Sequence, residues 1–223
     1  MMLQRKVVAY IVNPKNAKRI IPKLSKRVPL EVPSTNEIKF NENVIYVFDA
    51  EGINILKMKD RGPNVIVIDE LFSKGLSINA VVEYITCLSF GKERYNEVVI
   101  GIDVNSGSLA YAILADGILL EYDNITLTGQ QLHELIHRLI RDIPCKRLIL
   151  KIGLNALREN VLHVIISILK SLDDEIMNKI QLHLVEETYT SISNPYIGLL
   201  TRIRNRDVKA AVNIALREGL KII

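Results

Sequence analysis

The sequence predicts an α/β protein in two parts, a small N-terminal α/β domain over residues 1–92 and a second domain over residues 93–223. Two observations predict this. In the first part, short β-branched apolar runs alternate with helical stretches, which is typical of strands that are covered on both faces. In the second part, three strands precede an alternation of helices and strands. That order favours a five-stranded mixed sheet with helices on both faces.

The composition is that of a folded globular chain. Of the 223 residues, 48% are apolar and 24% are charged, which excludes a disordered or collagen-like protein. No apolar run reaches the roughly 18 residues that a membrane-spanning helix needs, and the N-terminus has no long apolar stretch typical of a secretory signal. The two cysteines, Cys87 and Cys145, form no CxxC pair. We therefore expect a cytoplasmic protein with no membrane association, zinc ribbon or disulfide framework.

Basic residues are concentrated in two places. The chain has 29 Lys and Arg against 25 Asp and Glu, and residues 1–27 contain basic residues but no acidic ones. A second basic cluster consists of Arg202, Arg204, Arg206 and Lys209. Each cluster is either an ordinary solvated surface or a face that contacts phosphates. Two clusters on one chain favour nucleic acid as a partner.

The first part contains three strands and a long helix. Residues 7–12, 44–48 and 65–68 are apolar and β-branched, so they predict buried strands. Residues 73–90 predict a helix. The polar stretch 91–97 marks the border between the two domains.

The second part has a distinctive order of elements. Strands are predicted at 98–103, 108–115 and 118–125, and the turn Asp116-Gly117 between the last two is a strong hairpin signal. A helix follows, because its apolar residues have helical spacing: Leu132, Leu135, Ile136, Leu139 and Ile140. A strand at 147–153, a helix at 156–177, a strand at 180–187 and a helix from about Asp207 to residue 220 complete the domain. This is the element order of the ribonuclease H-like fold.

Acidic residues lie at the ends of several of these elements. Asp103 ends an apolar strand, Glu186 and Glu187 end another, and Asp207 opens the last helix. Carboxylates that converge from separate elements repel one another unless a divalent cation neutralises them, and oxygen ligands suit Mg²⁺ or Mn²⁺. Two such ions about 4 Å apart can hold the attacking and leaving oxygens of a phosphodiester displacement. Taken singly, each acid also has a local interpretation as a helix cap, a turn residue or a solvated charge.

Four stretches resemble known nucleases. Residues 101–117 look like the first motif of the RuvC-type branch of the ribonuclease H-like superfamily, in which an Asp closes the first strand. Residues 151–155 and 184–191 are similar to the fourth-strand and fifth-strand motifs of the YqgF/RuvX resolvase-like family. Residues 205–220 resemble the closing motif of that family and, more closely, the last motif of TnpB-type transposon nucleases.

The resemblance implies that Asp103, Glu187 and Asp207 are the catalytic, metal-binding acids. The RuvC and TnpB groups place a Glu at the end of the fourth strand, where this chain has Lys151 and Ile152. The YqgF-like group takes its middle acid from the fifth strand instead, so that pattern alone leaves a complete triad. The Arg that follows this acid in the family is replaced here, and the zinc-ribbon cysteines of the TnpB group are absent.

A competing motif lies in the first helix of the second domain. Residues 133–137 read HELIH, the H-E-x-x-H pattern of zinc peptidases, in which two His one helical turn apart share Zn²⁺. Both His fall about 110° from the apolar stripe at 100° per residue, on the polar flank of the helix. No third ligand is evident in the sequence. A zinc peptidase is therefore the less favoured interpretation, and we expect no zinc.

The sequence as a whole predicts a Mg²⁺- or Mn²⁺-dependent endonuclease acting on structured nucleic acid, either branched DNA as in Holliday junction resolution or a precursor RNA. Metal-bound water would attack phosphorus, and five basic residues would contact neighbouring phosphates: Lys151, Arg202, Arg204, Arg206 and Lys209. The alternative is a catalytically inactive ribonuclease H-like module that binds nucleic acid. The choice between DNA and RNA and the oligomeric state, a homodimer among the options, stay open.

Overall fold

The structure is a computed structural model that describes residues 4–34, 38–58, 62–105, 107–126, 129–154, 158–171, 180–186 and 203–222. Backbone contacts divide the chain into two compact units. The first comprises Met1–Arg94 together with Arg141–Pro144, and the second comprises Tyr95–Ile140 together with Cys145–Ile223.

The first unit is built on a parallel sheet in which the described strands have the order β2-β1-β3-β4. These strands are β1 Lys6–Tyr10, β2 Leu30–Glu31, β3 Val44–Phe48 and β4 Val65–Val67. Three of them lie in the apolar runs that predicted them. The helices are α1 Pro14–Leu24, α2 Ala50–Ile55, α3 Ile68–Ser73 and α4 Ile78–Ser89. Parallel strands joined through helices are covered on both faces, which explains the apolar runs in β1, β3 and β4.

The helix predicted over residues 73–90 begins later than expected. Helix α3 ends at Ser73, Gly75 has a φ of +84°, and the Ser77 hydroxyl caps α4 by accepting the Ala80 N–H at 3.1 Å. A glycine in the left-handed region ends a helix, and a serine in extended backbone starts the next one. The prediction of one continuous helix from residue 73 is therefore wrong.

The second unit is built on a mixed sheet whose described strands have the order β10-β9-β8-β5-β6-β7. They are β5 Tyr95–Val104, β6 Ser108–Ala115, β7 Ile118–Thr126, β8 Cys145–Leu154, β9 Ile180–Glu186 and β10 Leu220–Lys221. Strands β5, β6 and β7 are antiparallel neighbours, as predicted, while β8 is parallel to both β5 and β9. The predicted Asp116-Gly117 turn has positive φ at both residues.

Helices cover both faces of this sheet. They are α5 Gly129–Asp142, α6 Arg158–Ser171 and α7 Arg206–Leu216. Helix α7 packs on one face, where small and branched residues of the helix and of the sheet form a core that includes Ala110, Ala112 and Ala211. Helix α5 reaches the other face, where Arg138 donates to Glu121 of β7 at 2.6 Å.

The end of the chain corrects the prediction in one respect. The last helix ends at Leu216 and not near residue 220, and Leu220–Lys221 form a sixth strand antiparallel to β9. Gly219 explains the close approach, because a Cβ there would lie 2.9 Å from the Leu184 carbonyl oxygen. No helix in the described residues is long and apolar enough to cross a membrane.

Candidate active site

Asp103 lies near the end of β5 and faces the side of the sheet that α7 covers. It pairs with Ala110 of β6, which in turn pairs with Asn124 of β7. Directly opposed residues of antiparallel strands point to the same face, so Asp103 and Asn124 lie on one face in the same row. Asp103 is only 5% exposed. A buried carboxylate therefore ends the central strand of the sheet.

Gly101 brings α7 onto this row. A Cβ at Gly101 would lie 2.1 Å from the Ala211 carbonyl oxygen and 2.7 Å from the Ala215 nitrogen. Only a residue without a side chain allows the backbone of α7 to come this close to β5. The helix consequently runs directly over the strand that carries Asp103.

Asp207 belongs to the first turn of α7. The side chain of Asn205 caps the helix by accepting the N–H groups of Asp207 and Val208 at 2.8 and 3.2 Å. Asp207 is therefore not the helix cap that its position also allowed. Its carboxylate accepts the Asn124 side-chain amide at 3.4 Å, which directs it towards the row that contains Asp103.

The two carboxylates are close enough to interact. Burial raises the pKa of Asp103 above its ordinary value, and the charge of Asp207 raises it further. The Asn105 side-chain amide donates to Asp103 at 3.2 Å and partly opposes this rise in pKa. Negative charge on both carboxylates, Asp103 and Asp207, is therefore unfavourable unless a cation neutralises it. Asp103 and Asp207 thus influence each other electrostatically, while their assignment as metal-binding acids stays a prediction.

The third predicted acid, Glu187, lies outside the described residues, as does Arg202. Among the residues that the structure describes, no group of three or more His, Cys, Asp or Glu side chains could hold a metal ion. The described part of the site thus consists of Asp103 and Asp207 with the amides of Asn105 and Asn124.

No acid of β8 adds to this pair. Gly101 pairs with Lys151 and Ile102 with Ile152, and continuing that register by one residue brings Gly153 level with Asp103. Strand β8 therefore adds no carboxylate to this face.

Lys151 has a clear role of its own. Its ammonium donates to the Ala215 carbonyl at 3.0 Å and also to the Arg217 carbonyl, both at the C-terminal end of α7. A cation at this end of a helix is favourable because the last carbonyls lack partners within the helix. Burial lowers the pKa of Lys151, and Glu97 and Glu218 partly oppose that change. The residue anchors α7 on the sheet, while its predicted phosphate contact stays a prediction.

The remaining predicted basic residues lie around the start of α7. Arg204 and Arg206 are exposed, and Lys209 is half-buried. They come from the same short segment as Asp207 and flank it along the chain. Positive side chains next to a pair of carboxylates are suited to phosphates that approach a bound cation, and this role also stays a prediction.

The HELIH motif lies on α5. Leu135, Ile136 and Leu139 are buried, as the apolar stripe predicted, whereas Glu134 is exposed and His137 is half-buried. The side chain of His133 is outside the described residues. The expectation that this motif binds no zinc is not tested by the structure.

Three residues of the site were missed by sequence reasoning: Gly101, Asn105 and Asn124. Gly101 and Asn124 break the pattern of their strands, because Gly weakens a strand interior and Asn is depleted in strands. Those departures were the available signal. A glycine inside a strand suggests close approach of another backbone, which is what α7 supplies.

No protein-family model and no curated protein matches the chain. Among solved structures, Thermus thermophilus RuvC in complex with a Holliday junction is 13% identical and has a TM-score of 0.42, over 57% of this chain and 100% of that one. A second structure of T. thermophilus RuvC is 14% identical with a TM-score of 0.38, over 53% and 91% of the two chains. Drosophila Piwi is 12% identical with a TM-score of 0.27, over 82% of this chain and 34% of that one.

Proposed function

We propose that the protein is a Mg²⁺- or Mn²⁺-dependent nuclease that hydrolyses phosphodiester bonds in structured nucleic acid, either branched DNA or a precursor RNA. The observation that carries this proposal is the pair Asp103 and Asp207. A strand and a helix bring these two carboxylates together although neither caps a helix nor forms an ion pair among the described residues.

The donor set fits a hard divalent cation. Carboxylate oxygens are ligands that Mg²⁺ and Mn²⁺ take, and Asp103 and Asp207 supply them, while the side-chain NH₂ groups of Asn105 and Asn124 donate to these carboxylates. The resemblance adds Glu187 as a third ligand. Asp103 and Asp207 would hold such ions, which would activate water for attack near neutral pH and neutralise charge on the phosphate.

The side chains around the pair have separate tasks in this proposal. Asn124 holds the Asp207 carboxylate towards Asp103, and Asn105 keeps the Asp103 carboxylate in place. Arg204 and Arg206 contact phosphates on either side of the scissile bond, which positions the substrate without reading its sequence. The Gly101 contact keeps the two carboxylates at a fixed separation.

A catalytically inactive module that binds nucleic acid is the second candidate. One observation favours it, because β8 carries Gly153 level with Asp103 and no acid. In that case the basic residues would bind phosphates without cleavage. The two candidates share a fold and a partner, so cleavage alone separates them.

The test is cleavage of four-way DNA junctions and structured RNA with Mn²⁺ by the wild type, Asp103→Asn and Asp207→Asn. We expect each variant to lower the rate at least about a hundredfold, because metal stabilisation of developing charge is worth several kcal/mol. Asp123→Asn is the matched control, since Asp123 precedes Asn124 on β7 but lies on the opposite face and is exposed. It should cleave at the wild-type rate.

Thermal melting with and without Mn²⁺ completes the test. The wild type and Asp123→Asn should gain stability from Mn²⁺, and Asp103→Asn should not. Binding without cleavage or metal stabilisation would favour the inactive module. Equal cleavage by the wild type and Asp103→Asn would show that this pair is not the active site.

A further inference from the structure

Helix α1 of the first unit has two sharply different faces. Asn13 caps it by accepting the N–H groups of Lys15 and Asn16 at 3.0 and 3.3 Å. Ile20 and Leu24 are fully buried in the core of the unit. The apolar side of the helix is therefore used entirely in packing.

The other side of α1 is basic. Lys15, Lys18, Arg19 and Lys23 are all exposed, and Lys26 extends the row just past the helix end. At 100° per residue the four helical cations cover an arc of about 140°, centred almost opposite Ile20 and Leu24. We call Lys15, Lys18, Arg19 and Lys23 the basic face of α1.

The sequence places no acidic residue in α1 or before it. The first acidic residue of the chain is Glu31. Within the part of the chain that the structure describes, Lys6 pairs with Glu31 and Arg27 with Glu83, whereas the four cations of the basic face have no ion-pair partner. Lys6 and Arg27, which lie outside the basic face, are thus paired, whereas the four cations of the basic face are exposed to solvent.

We propose that the basic face of α1 binds the phosphate backbone of nucleic acid and gives the first unit a share in holding the substrate. Lys15, Arg19 and Lys23 follow one another at intervals of about one turn, about 6 Å along the helix, and complement a partner with regularly repeated negative charge. The inference rests on the proposed function only for its choice of partner.

A lipid surface fits this helix less well. A helix that lies on a membrane needs an apolar face that enters the acyl region. Here Ile20 and Leu24 are 0% exposed because they fill the protein core. Only the basic face of α1 is left for binding a partner. It is best suited to a polyanion whose phosphates follow one another at regular spacing.

The test compares two triple variants of the whole chain. Lys15→Gln, Lys18→Gln and Lys23→Gln together neutralise most of the basic face. Lys39→Gln, Lys57→Gln and Lys74→Gln remove the same charge from exposed positions of the same unit outside α1. Binding to a fluorescent DNA duplex is measured with EDTA, so that no cleavage occurs, over a series of salt concentrations.

The α1 triple variant should bind at least about tenfold more weakly at 0.1 M salt, and its slope of log K against log salt should fall by about 2 to 3, because each lost phosphate contact removes about 0.9 from the slope. The control triple variant should lose less than about 1 from the slope. A variant with Arg in place of the same three α1 lysines should bind like the wild type, because the positive charges are kept. The melting curves of all variants should coincide because these side chains are exposed.

Equal slopes for the two triple variants would overturn the proposal. It would also fail if the α1 variant lost binding to phosphatidylserine vesicles and kept its affinity for the duplex, since the partner would then be a membrane. The outcome is separate from that of the nuclease proposal. The slope difference between the two triple variants is measured without cleavage, so it can persist in a protein that cleaves nothing.

Discussion

Each unit has a buried aspartate at the carboxyl end of a strand, but the two carboxylates have different kinds of partner. Asp49 follows β3 and is 2% exposed, and its two oxygens accept the backbone N–H groups of Asn13 and Gly52 at 2.6 and 2.8 Å. Asp103 is 5% exposed, but it accepts one side-chain amide and faces a second carboxylate, Asp207.

The difference separates an acid whose charge the fold satisfies from one that lacks such partners among the described residues. Asp49 caps α2 and ties the start of α1 to β3, so the fold itself satisfies its charge. Nothing of this kind satisfies Asp103 among the described residues. A buried charge that the fold leaves uncompensated is evidence for a ligand, because the chain would otherwise be more stable without it.

The largest effect should come from Gly101→Ala, which tests how α7 brings Asp207 to Asp103. The new methyl group would meet backbone atoms of Ala211 and Ala215, which cannot rotate away. We expect the free energy of unfolding to fall by about 3 kcal/mol or more, at the upper end of overpacking effects. Urea denaturation measures this change.

Gly62→Ala in the first unit is the matched control for this substitution. Nothing lies within 4 Å of a Cβ at Gly62, so its effect should stay within about 0.5 kcal/mol. The Gly101→Ala variant should also lose stabilisation by Mn²⁺ because the helix is displaced. If both variants unfold at the same urea concentration, the close approach of α7 is not what positions Asp207.

Asp49→Asn and Asp103→Asn should change the free energy of unfolding in opposite directions. In Asp49→Asn one side-chain oxygen becomes an NH₂ group that faces a backbone N–H, and we expect a loss of about 2 kcal/mol. In Asp103→Asn one acceptor still serves Asn105, and the repulsion from Asp207 disappears. That variant should be as stable as the wild type or more stable in the absence of metal. Urea denaturation at pH 7 with EDTA compares them.

The pH dependence gives this comparison a second measurement. The pKa of Asp103 in the folded protein lies above its ordinary value of 3.8, so the ionised carboxylate opposes folding at neutral pH. The penalty is complete above the folded pKa and disappears as pH falls from that value to 3.8. The stability advantage of Asp103→Asn over the wild type should therefore shrink over this interval. An advantage that grows on acidification would contradict the assignment.

The sequence predicted more of the fold than of the site. Apolar runs and the Asp116-Gly117 turn placed the strands of the mixed sheet, because alternation and turn chemistry are local signals. Asp103 and Asp207 were selected as candidates because they lie at element ends and match the motifs of RuvC-type nucleases, and their metal-binding role stays a prediction. The sixth strand was missed because its two residues pair only in the tertiary context of β9.

Roles that depend on packing could not be derived in this way. Asp49 and Asp103 follow similar apolar runs, and only the hydrogen bonds of the structure distinguish a cap from an uncompensated acid. Lys151 was predicted to contact phosphate because it lies near the expected fourth-strand acid. Its side chain meets the end of α7, a contact between residues that are 64 positions apart in the chain.

The smallest effect is expected for Lys151→Met, which tests the anchor at the other end of α7. The variant keeps an unbranched side chain but leaves the carbonyls of Ala215 and Arg217 without their charged donor, which costs about 1.5 to 3 kcal/mol. Removing a buried ammonium offsets part of that loss, because burial lowers the pKa of Lys151. We expect a net loss of about 1 kcal/mol in urea denaturation at pH 7, and less than about 0.5 kcal/mol for Lys146→Met, an exposed control on the same strand.

Stabilisation by Mn²⁺ should persist in Lys151→Met, because Asn205 and Gly101 still hold the first turn of α7 in place. Loss of nucleic-acid binding without loss of stability would instead assign Lys151 to the phosphates.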